Sequence, residues 1–325
     1  MIVISERAAR TLIGPADAMA AIEEAFLAVA DRDARSFPVV RERIGAGPDL
    51  YGVKSGAGTA AGVLGLKIGG YWTGNGARGL TNHQSTTVLT NPDTGQPLAL
   101  VSSNYLTGLR TAAGCALAIR ELARQDARTL GVIGAGAQAL FHIQLACLAR
   151  PFTRLLVSSR DPANARACAD AARQWGLETE VADIEITARR ADVLITITPA
   201  RAPLVSADWI RPGTHISAMG ADTAGKQELD IALVGRARVY VDDWTQAASI
   251  GECQGAAREG LLDEARLAGT LGDLLAGRVP GRRDDQEITL FDSSGLAVQD
   301  LFIAAHALRA ASRTPSAGVV DIDLS

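Results

Sequence analysis

The sequence predicts an α/β protein in two parts, a parallel-sheet domain with helices between its strands and a separate α+β domain. Three observations predict it. Residues 129–133 form a short apolar, β-leaning run that ends in Gly134-Ala135-Gly136-Ala137-Gln138-Ala139, and residues 137–149 then read as helix. From residue 129 onward strand and helix patterns alternate regularly, which implies parallel strands joined by right-handed crossovers. The first hundred residues differ: short strands divided by Gly-rich turns point to an antiparallel sheet with helices. A chain of 325 residues is long enough for two such domains.

Composition narrows the function classes. Hydrophobic residues make up 47% of the chain, ample for a core. A formal net charge of −4 without a basic run argues against a general nucleic-acid binder. The N-terminus lacks the basic and apolar regions of a signal peptide, and no apolar stretch approaches the ~20 residues that span a bilayer. Cys115, Cys147, Cys168 and Cys253 lie far apart with no Cys-x-x-Cys pair, as expected of reduced thiols in a cytoplasmic protein. His83, His142, His215 and His306 lack the spacing of a metal site, so no metal is expected.

Taken in order, residues 5–34 carry a helical pattern, with Gly14-Pro15-Ala16-Asp17 as a start signal. Strands are expected at 37–41, 51–54 and 64–68. A hairpin follows, its strands at 86–90 and 98–101 joined by the turn Asn91-Pro92-Asp93-Thr94-Gly95. Residues 105–124 read as a long helix that leads into the strand at 129 and bridges the domains. Further strands are expected at 155–157, 192–197, 215–219, 239–241 and 288–292, with a helix at 163–175 between the first two. Residues 278–287 read as a solvated polar loop, and 297–311 as a last helix that could return to the first domain.

The turn after residue 133 is a dinucleotide fingerprint of the Rossmann type. Gly134 permits the tight turn, Gly136 lets the backbone approach a pyrophosphate, and Ala139 keeps the helix close to the strand. The free N–H groups of the helix then face the phosphates. The strand before and the helix after favour this reading over a purely structural turn. Ligands of open parallel sheets sit at the carboxyl ends of the strands, which picks out Thr198-Pro199, Gly220-Ala221-Asp222 and Ser293-Ser294. Asp222 follows an apolar strand. It is either a partly desolvated acid/base beside the nicotinamide, or an Asx-turn residue or a cap for a helix that begins near 226–228.

Lys67 sits in an apolar strand and Arg110 in an apolar helix, so each needs an anion. That anion is either a structural partner among the 36 acidic residues or a substrate carboxylate, which a planar Arg fork and a Lys point charge suit. About 20 residues past a fingerprint an acid normally holds the adenosine ribose. Here Ser159 takes that place and Arg160 follows, a slight lean towards a 2′-phosphate and hence NADP. Arg160 stacked on adenine in an NAD enzyme is the other reading.

Read together, Gly65-Leu66-Lys67, Pro92-Asp93-Thr94-Gly95-Gln96-Pro97-Leu98, Leu109-Arg110-Thr111-Ala112-Ala113, Gly134-Ala135-Gly136-Ala137-Gln138, Gly220-Ala221-Asp222 with Lys226-Gln227-Glu228, and Phe291-Asp292-Ser293 closely resemble the ornithine cyclodeaminase/μ-crystallin family, nearly end to end. The resemblance implies a homodimer. It implies a substrate-binding and dimerisation domain of residues 1–115 with 300–325, and a Rossmann NAD(P)-binding domain of residues 116–299. By position, Arg41, Lys67 and Arg110 would hold the substrate α-carboxylate, with Arg43 a competitor for Arg41. Asp222 would be the acid/base, joined by Lys67, and Ser294 would lie beside the substrate. Asn82, Arg110, Gly134, Gly136, Ala137, Gln138, Ser159, Arg160, Thr198, Met219, Gly220, Lys226 and Ser293 would line the NAD(P)H site.

Members of this family share an iminium carbon beside a clamped carboxylate, which accepts or donates hydride. In its ornithine cyclodeaminases the position of Lys54 is an acid that holds the substrate's terminal ammonium. A lysine there would repel a diamino acid and attract a second carboxylate. The segments 37–41, 51–54, 69–72 and 82–86 look most like the members that reduce iminosuccinate, with His83 either a further contact to the second carboxylate or a buried structural histidine. The resemblance thus implies an NAD(P)H-dependent imine reductase that reduces iminosuccinate to aspartate. The competitors are an ornithine cyclodeaminase-type ammonia lyase, a ketimine reductase or alanine dehydrogenase, and a nicotinamide-dependent binding protein of the μ-crystallin type.

Overall fold

The computed structural model describes residues 1–313 and 318–322. The chain divides into two compact units, Met1–Arg110 with Leu296–Ser325, and Thr111–Gly295. These breaks fall about one helical turn before those drawn from the sequence.

The first unit opens with β1 (Ile2–Ile4), α1 (Glu6–Leu12), α2 (Pro15–Ala30), β2 (Ala34–Ser36), β3 (Val40–Arg43), β4 (Leu50–Gly58), β5 (Val63–Tyr71), β6 (His83–Thr90), β7 (Pro97–Ser102) and α3 (Asn104–Leu122). The helical pattern of residues 5–34 is two helices. Gly14 and Pro15 part them, because Pro15 has no N–H for a continuing helix and suits the first position of a new one. The side chain of Ser5 caps α1, and the Asp17 carboxylate accepts the Gly14 N–H at 2.9 Å. The strand expected at 37–41 is instead divided between β2 and β3, with Pro38 in the gap between them. The hairpin turn forms as expected: Asn91 Oδ1 accepts the N–H groups of Asp93 and Thr94, and Gly95 takes φ +75°.

The second unit carries β8 (Thr129–Ile133), α4 (Ala139–Ala149), β9 (Arg154–Ser158), α5 (Pro162–Ala172), β10 (Glu178–Val181), α6 (Ile184–Arg190), β11 (Val193–Thr196), β12 (Arg201–Val205), β13 (His215–Ala218), β14 (Gln227–Leu229), α7 (Ile231–Arg236), β15 (Arg238–Val241), α8 (Trp244–Ser249), α9 (Gln254–Arg258), β16 (Gly269–Thr270), α10 (Leu271–Leu275) and β17 (Thr289–Asp292). The chain then returns to the first unit as α11 (Ala297–Arg313) and β18 (Val319–Asp321).

Eight strands of the second unit form one sheet in the order β10-β9-β8-β11-β13-β17-β15-β16, every pair parallel. The order reverses at β8, whose neighbours are β9 and β11, which makes the carboxyl ends of β8 and β11 the switch point where such sheets bind ligands. Ile133, Leu194, Ile216, Val239 and Leu290 from five adjacent strands are buried in its core. The Rossmann-type sheet and the α+β unit are both present as expected. The loop 278–287 is more than solvated surface: Arg282 Nε donates to Leu122 O at 2.7 Å and Nη2 to Thr289 Oγ1 at 2.9 Å.

The sheet of the first unit runs β18-β1-β7-β6-β5-β4-β2, with β3 also on β4, and is antiparallel except where β1 pairs with β7. Opposed residues share a face. Gly56, Gly58 and Gly65 lie on the face that receives α11: a Cβ at these positions would stand 3.3 Å from Val298, 2.8 Å from Phe302 and 3.3 Å from Leu301. Missing side chains let the helix come down onto the strands. Lys54 and Lys67 belong to that same face, beside the first turn of α11.

Candidate functional site

At the switch point Gly134 takes φ +113°, and a Cβ there would meet Ile197 O at 2.5 Å. Only glycine satisfies both conditions. Gly136 is different, for a Cβ on it would meet nothing within 4 Å. The space beside its backbone is open, as a pyrophosphate cradle requires. The helix starts at Ala139, two residues after the sequence placed it, with Gln138 at its N-cap and no side-chain cap bond. Gln138 Oε1 is buried without a hydrogen-bond partner. Uncapped N–H groups at the start of an 11-residue helix, an open glycine and an orphaned amide oxygen fit the phosphates and amide of a dinucleotide. Ser159 and Arg160 follow β9, and the next carboxylate, Asp161, is engaged in capping α5 through Ala163 N at 2.9 Å.

Thr198 and Gly220, at the ends of β11 and β13, are tied together by a residue the sequence reading quoted without a role. Glu228 Oε1 accepts Thr198 N and Oγ1, both at 2.7 Å. Its Oε2 accepts Thr196 Oγ1 at 2.8 Å and Gly220 N at 2.9 Å. Glu252 lies behind it and accepts the N–H groups of Glu228 and Leu229. Burial raises the pKa of Glu228 against those hydrogen bonds, and burial together with Glu228 raises that of Glu252 further. No metal-ligating cluster occurs among the described residues.

Asp222 stands two residues beyond Gly220. Lys226 Nζ lies 2.6 Å from Asp222 Oδ1 and 3.3 Å from Gly220 O, and Thr223 Oγ1 donates to the same carboxylate at 3.1 Å. The capping reading of Asp222 falls away, because residues 227–229 are strand β14 and α7 is capped by Asp230. Met219 is buried and bonds through its N–H to Thr196 O. Ser293 Oγ and Gly295 N donate to Asp242 Oδ2 at 3.1 and 2.6 Å, and Ser294 Oγ to Oδ1 at 3.4 Å. Asp242, after β15, thus orders the loop that carries both serines. No sequence signal had marked it.

The first unit holds the cations. Lys67 Nζ lies 2.8 Å from Asp300 Oδ2, and Arg110 Nε lies 2.9 Å from Asp300 Oδ1. Arg110 Nη1 also donates to Gln299 Oε1 at 3.1 Å. Of the two partners left open for Lys67 and Arg110, the structural acid is present: both share one carboxylate on α11. Among the described residues of this unit, Lys67, Arg110 and Asp300 are the buried charged side chains. Two cations against one anion leave a positive excess in low dielectric, and Lys54 acts on both Lys67 and Asp300. Burial lowers Lys67 to about 7, with Asp300 opposing the shift. Burial alone would raise Asp300, but Arg110, Lys67 and Lys54 together hold it at about 2.

Register places Lys54 opposite Lys67, Arg41 opposite Gly52, and His83 opposite Tyr71, so all four polar residues share the α11-facing side of the sheet. Arg41 is half-buried, whereas its competitor Arg43 is exposed. Asn82 is engaged locally, with Oδ1 accepting Gly76 N and Nδ2 donating to the Tyr71 hydroxyl, both at 3.2 Å.

A model of the ornithine cyclodeaminase/mu-crystallin family matches residues 9–312. The chain is 44% identical to the iminosuccinate reductase of Paracoccus denitrificans (strain Pd 1222), over 99% of this chain and 100% of that protein. The crystal structure of the Paracoccus denitrificans iminosuccinate reductase in complex with NAD+ superposes with a TM-score of 0.94 at 43% identity, covering 99% of each chain. An archaeal alanine dehydrogenase dimer with bound NAD gives a TM-score of 0.93 at 33% identity, covering 99% of this chain and 100% of that one.

Proposed function

The chain belongs to the ornithine cyclodeaminase/mu-crystallin family, and from that premise we propose that it is a nicotinamide-dependent imine reductase that converts iminosuccinate to aspartate. The observation that carries the substrate is the buried cation excess, Lys67 and Arg110 sharing the one carboxylate of Asp300, on which Lys54 also acts. A doubly anionic imine matches that excess better than a monocarboxylate or a diamino acid. A nicotinamide coenzyme held at the turn of residues 134–138 would supply hydride to the imine carbon. Lys67, Arg110 and Arg41 hold the α-carboxylate, while Lys54 and His83 engage the second one. Asp222 manages the proton on the nitrogen, its carboxylate oriented by Lys226 at 2.6 Å. Fixing the acceptor carbon in one orientation is itself worth several orders of magnitude in rate.

The coenzyme is a nicotinamide dinucleotide. Ser159 and Arg160 put no carboxylate on the ribose and supply a cation, while Asp161 is held by its own helix. That arrangement favours NADPH over NADH. The other face of the first unit's sheet supports a homodimer. Val53, Leu64, Leu66, Ile68, Val88 and Leu100 are all half-buried or exposed there, an apolar surface that a second copy would cover.

Coenzyme oxidation is measured with oxaloacetate and ammonium, and then with pyruvate and ammonium, using NADPH and NADH in turn. The expected kcat/KM is ~10- to 100-fold higher for the dicarboxylate, the worth of one charge-assisted contact. Equal or faster turnover of pyruvate overturns the substrate, and ammonia release from ornithine without net coenzyme change overturns the reaction class.

A further inference from the structure

We propose that Asp300 is the positioning residue of the anion clamp, holding Lys67 and Arg110 in one orientation. The proposal rests on the clamp reading above. Asp300 lies in the first turn of α11, only 2% exposed, and each of its carboxylate oxygens faces a different cation. Together with Gln299 it uses two of the five N–H donors of Arg110, so the guanidinium cannot rotate without breaking both bonds. Lys67 comes from β5 and Arg110 from α3, so the carboxylate on α11 fixes two elements at once. The glycines at 56, 58 and 65 set the depth of that helix, and with it the position of Asp300.

The charged groups acting on Lys67 are Asp300 from α11, Arg110 from α3 and Lys54 from β4. Only Asp300 favours the ammonium; burial and both cations oppose it. With Asp300 present Lys67 titrates near 7, so anion binding weakens as pH rises through that value. Without it the same loss occurs at lower pH. The site would then be neutral at Lys67 under conditions where the unaltered protein still holds a charge.

The test is calorimetric titration with succinate, a non-reacting dicarboxylate, between pH 5.5 and 9 on the unaltered protein, Asp300→Asn and Asp300→Glu. In Asp300→Asn the midpoint of the affinity–pH curve should move down by at least about one unit, so succinate binds ~10-fold more weakly at pH 7. Asp300→Glu keeps the charge and should return the midpoint, even where its longer side chain costs affinity. A merely structural role would lower the melting temperature of Asp300→Asn and leave the midpoint in place, which overturns the proposal. If succinate does not bind the unaltered protein but propionate does, the dicarboxylate reading fails and the propionate midpoint decides the role of Asp300. Binding of neither overturns both.

Discussion

Asp300 in the first unit and Glu228 in the second are both buried carboxylates, and the structure treats them in opposite ways. Asp300 is surrounded by cations and held at about 2. Glu228 is surrounded by hydroxyl and backbone N–H groups, and its pKa is raised. Neutral donors satisfy the oxygen atoms and offset only part of the cost of a buried charge, whereas cations offset more of it. The difference separates two tasks. A carboxylate outnumbered by cations leaves a net field that attracts another anion, which supports the carboxylate-clamp reading of the first unit. A carboxylate enclosed by loop donors fixes the loops, so Glu228 holds the ends of β11 and β13 where the dinucleotide reading needs them rigid.

The largest effect should come from breaking the cationic side. Lys67→Met removes one cation of the clamp while keeping most of the side-chain volume, and leaves Asp300 paired to Arg110 alone. We expect kcat/KM to fall by ~10³-fold or more, from the loss of a buried charge-assisted contact and of a group beside the reacting atoms. Coenzyme affinity, read by fluorescence titration, should stay within about twofold, since the fingerprint lies in the other unit. A loss under tenfold in kcat/KM would mean that the cation excess does not hold the substrate.

How much of this was legible in the sequence follows the range of each interaction. The fingerprint, the hairpin turn at Asn91 and the alternation after residue 129 are local patterns, and they appear where they were read. The division of residues 5–34 into two helices was written in Gly14-Pro15, a start signal that also ends what precedes it. Lys67 and Arg110 were legible as cations needing an anion, yet Asp300 was not legible as that anion. It lies 190 residues beyond Arg110 on a helix known only by its apolar period. Glu228 and Asp242 escaped for the same reason: a buried acid announces itself through partners that only the fold brings close. The lysine at 54 was read by resemblance, and register alone shows that it stands opposite Lys67.

A smaller effect should come from the neutral side. Glu228→Gln keeps the shape but exchanges two acceptor sites for donors against Thr196, Thr198 or Gly220. We expect a stability loss of ~2–3 kcal/mol and roughly tenfold weaker coenzyme binding. The sign with pH follows from the raised pKa. The folded state holds the Glu228 proton more tightly than the unfolded state does. Its contribution is therefore fully present below the unfolded value of about 4.5 and is lost as pH rises through the folded one. The penalty of Glu228→Gln in urea unfolding should accordingly be larger at pH 5 than at pH 8. A penalty that grows with pH would place a cation beside Glu228 and erase the contrast with Asp300.

The smallest effect on the fold should come from Gly136→Ala, which sharpens the comparison by leaving both carboxylates untouched. Nothing lies within 4 Å of the added methyl, and Gly136 does not have a positive φ, so the unliganded protein should keep its melting temperature or gain the equivalent of ~0.4–1 kcal/mol. Gly134→Ala is the opposite case, because φ +113° and the approach to Ile197 O leave no room for a Cβ. If the open space beside Gly136 is where a pyrophosphate approaches the backbone, the methyl intrudes on the ligand alone. Dissociation constants for NADPH and NADH should then both rise by ~3- to 10-fold, with the substrate clamp unaffected when succinate affinity is measured. Unchanged coenzyme affinity would move the dinucleotide off this turn and leave Glu228 holding loops with no ligand between them.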